Sequence, residues 1–432
     1  MAGSGGEAGS GGVAGSGGVA GAGGAPPTTY ETLTDPGLWD AFDVSTLNSQ
    51  ARGFRGGAFD GRYVYYVPYL GDGSGFGNSG LAVSFDSTLS LEDPRAWSAF
   101  DVSQLDPRAR GFSGAAFDGR YLYLLPFSFQ PGSYDGVVAR CDTQVGFGSR
   151  AAWSVFDIGA LNGGAVGYES AAFDGRYLYL VPAATSAQEA LFTRYDTKDT
   201  FDRAISWSAF DVTSVDPRAW GFWGAVFDGR YVYLVPSFNG EYDGVLARFD
   251  TRGHFDASSW TIFDIASLNA NARGFGGGVF DGRYLYLVPV YNGVSYHGLV
   301  VRYDTAQDLA APSAWTTFDL TTLDADARGY AGGVFDGRYV YLAPFRNENG
   351  SHGRVARYDT QSAFNSRGSW IVFDVSGLNA GARGFIGAVT DGSYVYFVPD
   401  DNSGFGNATG LGVRVLAKTP PSLPAGWNAS FF

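Results

Sequence analysis

One unit of the chain is written seven times, and this repeat constrains the fold more than any other feature. Phe-Asp-Gly-Arg-Tyr-(Val/Leu)-Tyr starts at Phe59, Phe117, Phe173, Phe227, Phe280 and Phe335, with a degenerate seventh copy at Thr390. Trp-x-x-Phe-Asp starts at Trp39, Trp97, Trp153, Trp207, Trp260, Trp315 and Trp370, each Trp lying 20 residues before the matching copy of the first phrase. The period is 53 to 58 residues. A unit of that length is one supersecondary element that can bury its apolar faces only against its neighbours.

Each unit reads as four strands. In the first copy, residues 53–59 are rich in small side chains. Asp60-Gly61 then predicts a two-residue hairpin turn with positive φ. Residues 62–67 are apolar on both faces and stop at Pro68. A third strand runs into Ser84-Phe85-Asp86, and the Trp97 segment is the fourth. Seven such units predict an all-β, seven-bladed β-propeller of four antiparallel strands per blade, with the small-residue strand innermost and the Trp strand outermost. The chain starts on a Trp strand (residues 39–44) and ends on a third strand (residues 411–416). The N-terminal strand is therefore expected to complete the last blade and close the ring. Only the stretch between the strand-ending Pro and the third-strand Asp varies appreciably, between 14 and 18 residues, so variation gathers on one face.

Composition agrees and excludes several functions. Gly at 64 and aromatics at 16% suit short strands, tight turns and large rings between sheets. A net charge of −14 argues against nucleic-acid binding, and no apolar run approaches membrane-spanning length, so membrane insertion is not expected. A lone Cys141 excludes an intramolecular disulfide and reads as a packed third-strand residue. Residues 2–25 are built on an AGSGG unit without the regions of a signal peptide. Residues 1–29 are thus expected to form a flexible tether and 30–432 a single propeller domain, an organisation that points to a secreted or cell-surface location.

Most conspicuous residues belong to the blade. The repeated Tyr and Trp are core, and the repeated Arg of the turn (Arg62 and equivalents) and third strand (Arg140 and equivalents) are expected to pair with the repeated Asp. Arg52, Arg110, Arg273, Arg328 and Arg383 differ. They stand at the start of the innermost strand, near the expected channel mouth, where guanidinium groups either bind an anion or pair with fourth-strand Asp such as Asp43, Asp101 and Asp264. Val166 and Trp220 break the set in blades three and four, beside Glu169 and Trp223. Loop aromatics Tyr69, Phe127, Phe129, Phe238, Tyr291 and Phe345 follow the strand-ending Pro among Gly, Asn, Asp and Ser, the equipment for stacking on a sugar ring. No cofactor is called for. Ca²⁺ in loops 70–80 and 400–410, through Asp72, Asn78, Asp400, Asp401 and Asn402, is the weaker alternative to a turn-forming role. His254, His297 and His352 lack metal-ligand spacing, and no nucleophile elbow or phosphate loop occurs.

Phe-Asp-Gly-Arg-Tyr-Val-Tyr-Leu-Val-Pro, from Phe227 to Pro236, resembles the kelch-like, repeat-rich seven-bladed propellers of bacterial surface proteins over about residues 38–418. The expectation is a non-catalytic, surface-displayed binding module, lectin-like and multivalent for carbohydrate, through loops on one propeller face. Two alternatives are a protein–protein interaction scaffold for a surface protein ligand, and a glycan-active enzyme with one site near blades three and four. The oligomeric state is not legible.

Overall fold

Second strands that are apolar on both faces dictate the architecture. In Tyr63–Pro68 the residues Val64, Tyr65, Tyr66 and Val67 are all buried, which requires a sheet on either side. The computed structural model of the protein describes residues 32–71, 78–130, 132–185, 190–402 and 407–417. The tether expected over 1–29 lies outside them. The described residues form seven four-stranded antiparallel sheets and two short two-stranded ones, with only 3-10 turns besides. This is the seven-bladed propeller. No helix among the described residues is long and apolar enough to cross a membrane.

The inner strands are Phe54–Phe59, Phe112–Phe117, Tyr168–Phe173, Phe222–Phe227, Phe275–Phe280, Tyr330–Phe335 and Phe385–Thr390, in blades one to seven. Each packs beside the next around the axis, and the seventh meets the first. Closure follows the expected route: Trp39–Asp43 pairs antiparallel with Leu411–Leu416, Trp39 opposite Val415 and Asp43 opposite Leu411, as the outer strand of blade seven. The outer-strand Trp rings cover the sheet edges. Six of them, Trp97 for example, donate Nε1–H to the carbonyl six residues earlier, at 2.8–3.0 Å.

The turn after each inner strand falls one residue later than expected. In blade one Phe59 pairs with Val64 and Asp60 N–H donates to Tyr63 O at 3.2 Å, so Gly61 (φ +102°) and Arg62 form the two-residue loop. The reason is the aspartate. Asp60 Oδ1 accepts the amides of Arg62 (2.8 Å) and Tyr63 (2.6 Å), and Oδ2 accepts the Tyr65 hydroxyl at 2.6 Å. Arg62, freed from the strand, reaches the third-strand Asp86 at 2.6 Å. The same pair recurs as Arg120–Asp142, Arg176–Asp196, Arg230–Asp250, Arg283–Asp304 and Arg338–Asp359 at 2.6–2.9 Å. The third-strand arginines behave differently from expectation. Arg140, Arg194, Arg248, Arg302, Arg357 and Arg414 lie 3.9–4.5 Å over the first Tyr ring of the second strand in the same blade. Arg414 also forms an ion pair with Asp40 at 2.9 Å.

The variable loops are tied down at their base. Leu70 N–H donates to Gly53 O at 2.8 Å, and Gly53 N–H to Thr409 O of blade seven at 2.9 Å. Gly53 holds φ +62°, and a Cβ there would run into Leu70 and Ala408. The loop that carries Tyr69 is thereby folded back over the axis.

Candidate functional site

Every inner strand is irregular at its beginning. The register against the second strand slips between its first residue and its third or fourth in all seven blades, as between Tyr168 and Ser170. Such a bulge re-aims a side chain, here toward the axis. The first residue of each strand is a buried Phe or Tyr. The second is Arg55, Ser113, Glu169, Trp223, Gly276, Ala331 or Ile386, different in every blade, and all seven line one narrow neck on the axis.

Across this neck Arg55 of blade one donates to Glu169 of blade three at 2.6 Å. The Arg55 guanidinium carbon also lies 4.8 Å from the ring centre of Tyr69, 4.9 Å from Phe127 and 5.6 Å from Trp223. Glu169 is only 6% exposed. Burial pushes its carboxyl above the ordinary range, opposed by the charge and hydrogen bond of Arg55. The neck opens on the loop face into a chamber of about 360 Å³. Its aromatic wall is Tyr69, Trp223, Tyr242, Tyr291, Tyr296 and Phe345, and its charged groups include Arg346, Asp400 and Asp401. Asp400 is 8% exposed, and its Oδ1 has no hydrogen-bond partner among the described residues. Burial raises this carboxyl to about 7, against the pull of Arg55 and with the help of Asp401.

Residues singled out in the sequence fall into three places. Tyr69, Trp223, Tyr291 and Phe345 line the chamber, and Phe127 packs on Arg55 behind it. Phe238, 40% exposed, meets Tyr242 edge-on at 5.1 Å, and Tyr242 meets Tyr291 likewise at 4.9 Å. Trp220 and Arg273 line a separate, more open recess of about 580 Å³ between blades four and five, with Arg218, Asp243 and Asp264. Burial raises Asp243 to about 7 as well.

None of the arginines Arg52, Arg110, Arg273, Arg328 and Arg383 is among the residues lining the axial chamber. Arg328 and Arg383 donate Nε–H to the carbonyls of Ala325 and Ala380 at 2.8 Å, and Arg52, Arg110 and Arg273 bury Nε without a partner among the described residues. The fourth-strand Asp43 and Asp101 accept the backbone amides of Ser45 and Ser103 instead, while Asp264 pairs with Arg218 at 3.2 Å. The axial arginine is Arg55. It was detectable as the place where seven near-identical copies stop agreeing. Asp400 carried no such signal, because its loop varies in every blade.

His297 and His352 are buried, with burial lowering both to about 4, and His352 Nε2 lies 2.9 Å from Arg328 O. Both read as packing residues. Cys141 is fully buried, its thiol pushed up to about 12 by burial. Of the oxygen ligands considered for Ca²⁺, Asp72 lies outside the described residues, and the Asn78 side-chain amide donates to Ser128 O. Among the described residues no group of three or more His, Cys, Asp and Glu is placed to hold a metal ion.

No protein-family model matches the chain, and no curated protein does. Solved structures do. A hydrazine synthase of Kuenenia stuttgartiensis is 14% identical, covering 85% of this chain and 96% of its own, with a TM-score of 0.50. The β-propeller domain of the Trilobed protease from Pyrococcus furiosus is 13% identical, covering 80% and 88%, with a TM-score of 0.41. A luciferin-regenerating enzyme is 10% identical, covering 88% and 95%, with a TM-score of 0.39. At these identities the likeness is one of fold.

The expectation of a multivalent, lectin-like module is corrected here. A structure this chain is like is named a hydrazine synthase, not a lectin. The geometry gives the physical reason. Loop aromatics serving as separate sugar platforms would each need a free face, whereas Tyr69, Phe127, Phe238, Tyr242 and Tyr291 pack on one another or on Arg55 around a single chamber.

Proposed function

We propose that the protein binds one small organic molecule per chain in the axial chamber on its loop face. One observation carries this reading: seven blades that share one pattern of strands and turns disagree at the bulged second residue of the inner strand, and those seven residues meet at one place. Packing alone would favour the same small residue seven times. A buried charge pair beside an aromatic wall, with an unsatisfied carboxyl oxygen, is the equipment of a ligand pocket. The chamber's volume is within the span of small-molecule sites. No covalent step is assigned to it.

The test is a ligand screen by NMR or thermal shift, followed by calorimetry of each hit. A stoichiometry of one is expected, with affinity lost at least tenfold in Trp223→Ala and kept within about twofold in Ile205→Ala, at an exposed residue that does not line the chamber. A hit bound in several copies, or one indifferent to Trp223→Ala, overturns the reading. An exported, kelch-like surface protein of bacteria remains the accompanying proposal, supported by the blade length and by the low-complexity residues 2–25. Protease digestion of intact cells checks it.

A further inference from the structure

Resting on that chamber, we propose that its ligand is a small organic ammonium ion whose N–H groups bond Asp400 Oδ1.

The argument begins with the charges. Five ionised-type groups face Asp400 or include it: Arg55 of blade one, Glu169 of blade three, Arg346 of blade six, and Asp400 and Asp401 of blade seven. Three are carboxyls and two are guanidinium groups, so full ionisation leaves the chamber one negative charge in excess. Tyr69, Tyr242, Tyr291 and Tyr296 complete its titratable lining. The two guanidinium groups are engaged. Arg55 is held by Glu169 at 2.6 Å and by three aromatic rings, and Arg346 has partners of its own. An entering anion would meet three carboxyls and no idle cation.

The second observation is Asp400 itself. It is more than nine-tenths buried, it lines the chamber, and its Oδ1 is left without a partner among the described residues. A buried carboxyl oxygen of this kind is costly unless it keeps a proton or receives a donor. Asp400 therefore holds its proton to about pH 7 while the chamber is empty. An ammonium group supplies both the donor and the missing positive charge. Tyr242, Tyr291, Tyr296 and Phe345 line the same chamber, and the negative face of an aromatic ring attracts an organic cation. Proton balance is simple: the cation enters, the Asp400 carboxyl becomes carboxylate, and one proton leaves to solvent.

Charge is isolated by probes that share a skeleton. Butylammonium, benzylammonium and phenethylammonium are each titrated calorimetrically beside the corresponding alcohol and carboxylate, in buffers of different ionisation enthalpy. The ammonium ion of at least one set is expected to bind tenfold or more tightly than its alcohol, with the carboxylate not binding. Proton release should approach one per ligand at pH 6 and fall to about half at pH 7, and affinity should rise roughly tenfold per pH unit up to 7 and then level. Asp400→Asn should abolish the release and flatten the pH profile, while Ile205→Ala, at an exposed residue that does not line the chamber, changes neither. An alcohol or carboxylate bound as well as its ammonium partner, or ammonium binding without proton release, overturns the cation inference and leaves the chamber reading standing. If none of the three ammonium ions binds, the inference is equally overturned, while the broader screen still decides the chamber.

Discussion

Each inner strand begins at a bulge that differs from blade to blade and ends at a turn that does not. At the turn, an aspartate accepts two backbone amides and a Tyr hydroxyl in blade one, and the same bonds recur at Asp118, Asp174, Asp228 and Asp281. At the bulge, no two blades share a residue. Four residues of strand thus separate a position that serves its own blade from one that serves the whole ring. The turn is satisfied locally, so any copy works anywhere. The bulged residue meets its partners only across the axis, so the content of one blade depends on that of the others.

The largest way to break this contrast is at the neck. Arg55→Met leaves Glu169 buried and unpaired, and is expected to cost about 3–5 kcal/mol by chemical denaturation. The double change Arg55→Met with Glu169→Leu should recover most of that loss, because two apolar groups carry no desolvation cost. If the double variant is no better than the single one, the pair is not coupled and the axial residues are independent after all.

A second expected effect is on the pH profile of stability. Asp400 is raised to about 7 in the folded chain, from about 4 when unfolded. Between those values the folded state holds a proton that the unfolded state lacks, so this group's contribution falls as pH rises from 4 to 7 and is constant above. Asp400→Asn is expected to remove that slope and to stabilise the protein at pH 8, on the order of 1–3 kcal/mol. Equal slopes in the two proteins would place the Asp400 proton elsewhere.

The turn sharpens the comparison with a smaller effect. Asp281→Ala removes acceptors for the amides of Arg283 and Tyr284 and for the Tyr286 hydroxyl. A loss of about 1–2 kcal/mol is expected, the same within error as for Asp118→Ala in blade two. Ligand binding in the chamber should be untouched by either. Unequal losses in the two blades would show that the turns are not interchangeable. Smallest of all is Arg120→Ala, whose exposed guanidinium meets Asp142 in water and whose removal should leave the denaturation midpoint unchanged.

Sequence reading followed the repeat well and the exceptions poorly. Ring closure through Trp39–Asp43 was legible because a Trp strand without a blade stands at one end and a blade without a Trp strand at the other. The turn was misread by one residue, because the Asp side chain competes with the backbone for Arg62 and Tyr63 amides, and that competition is invisible to a count of turn residues. Attention to a recurring arginine selected Arg52 and its equivalents, whereas the axial arginine is Arg55, which recurs nowhere in register. In a repeat protein, recurrence marks what the fold needs. A break in recurrence marks what the whole ring does.

By itself the sequence determined the number of blades, the four strands in each, their inner-to-outer order and the route of closure. All of these follow from short-range patterns: alternation, turn chemistry and the fixed distance from Trp to Phe-Asp-Gly. Only the tertiary structure decided that Arg55 and Glu169, 114 residues apart, form a buried pair, and that Asp400 is left facing them with an empty oxygen. Those relations depend on which side chains the bulges turn inward and on which blades lie across the axis from one another. Both are set by closing the ring, a long-range event that no single repeat encodes.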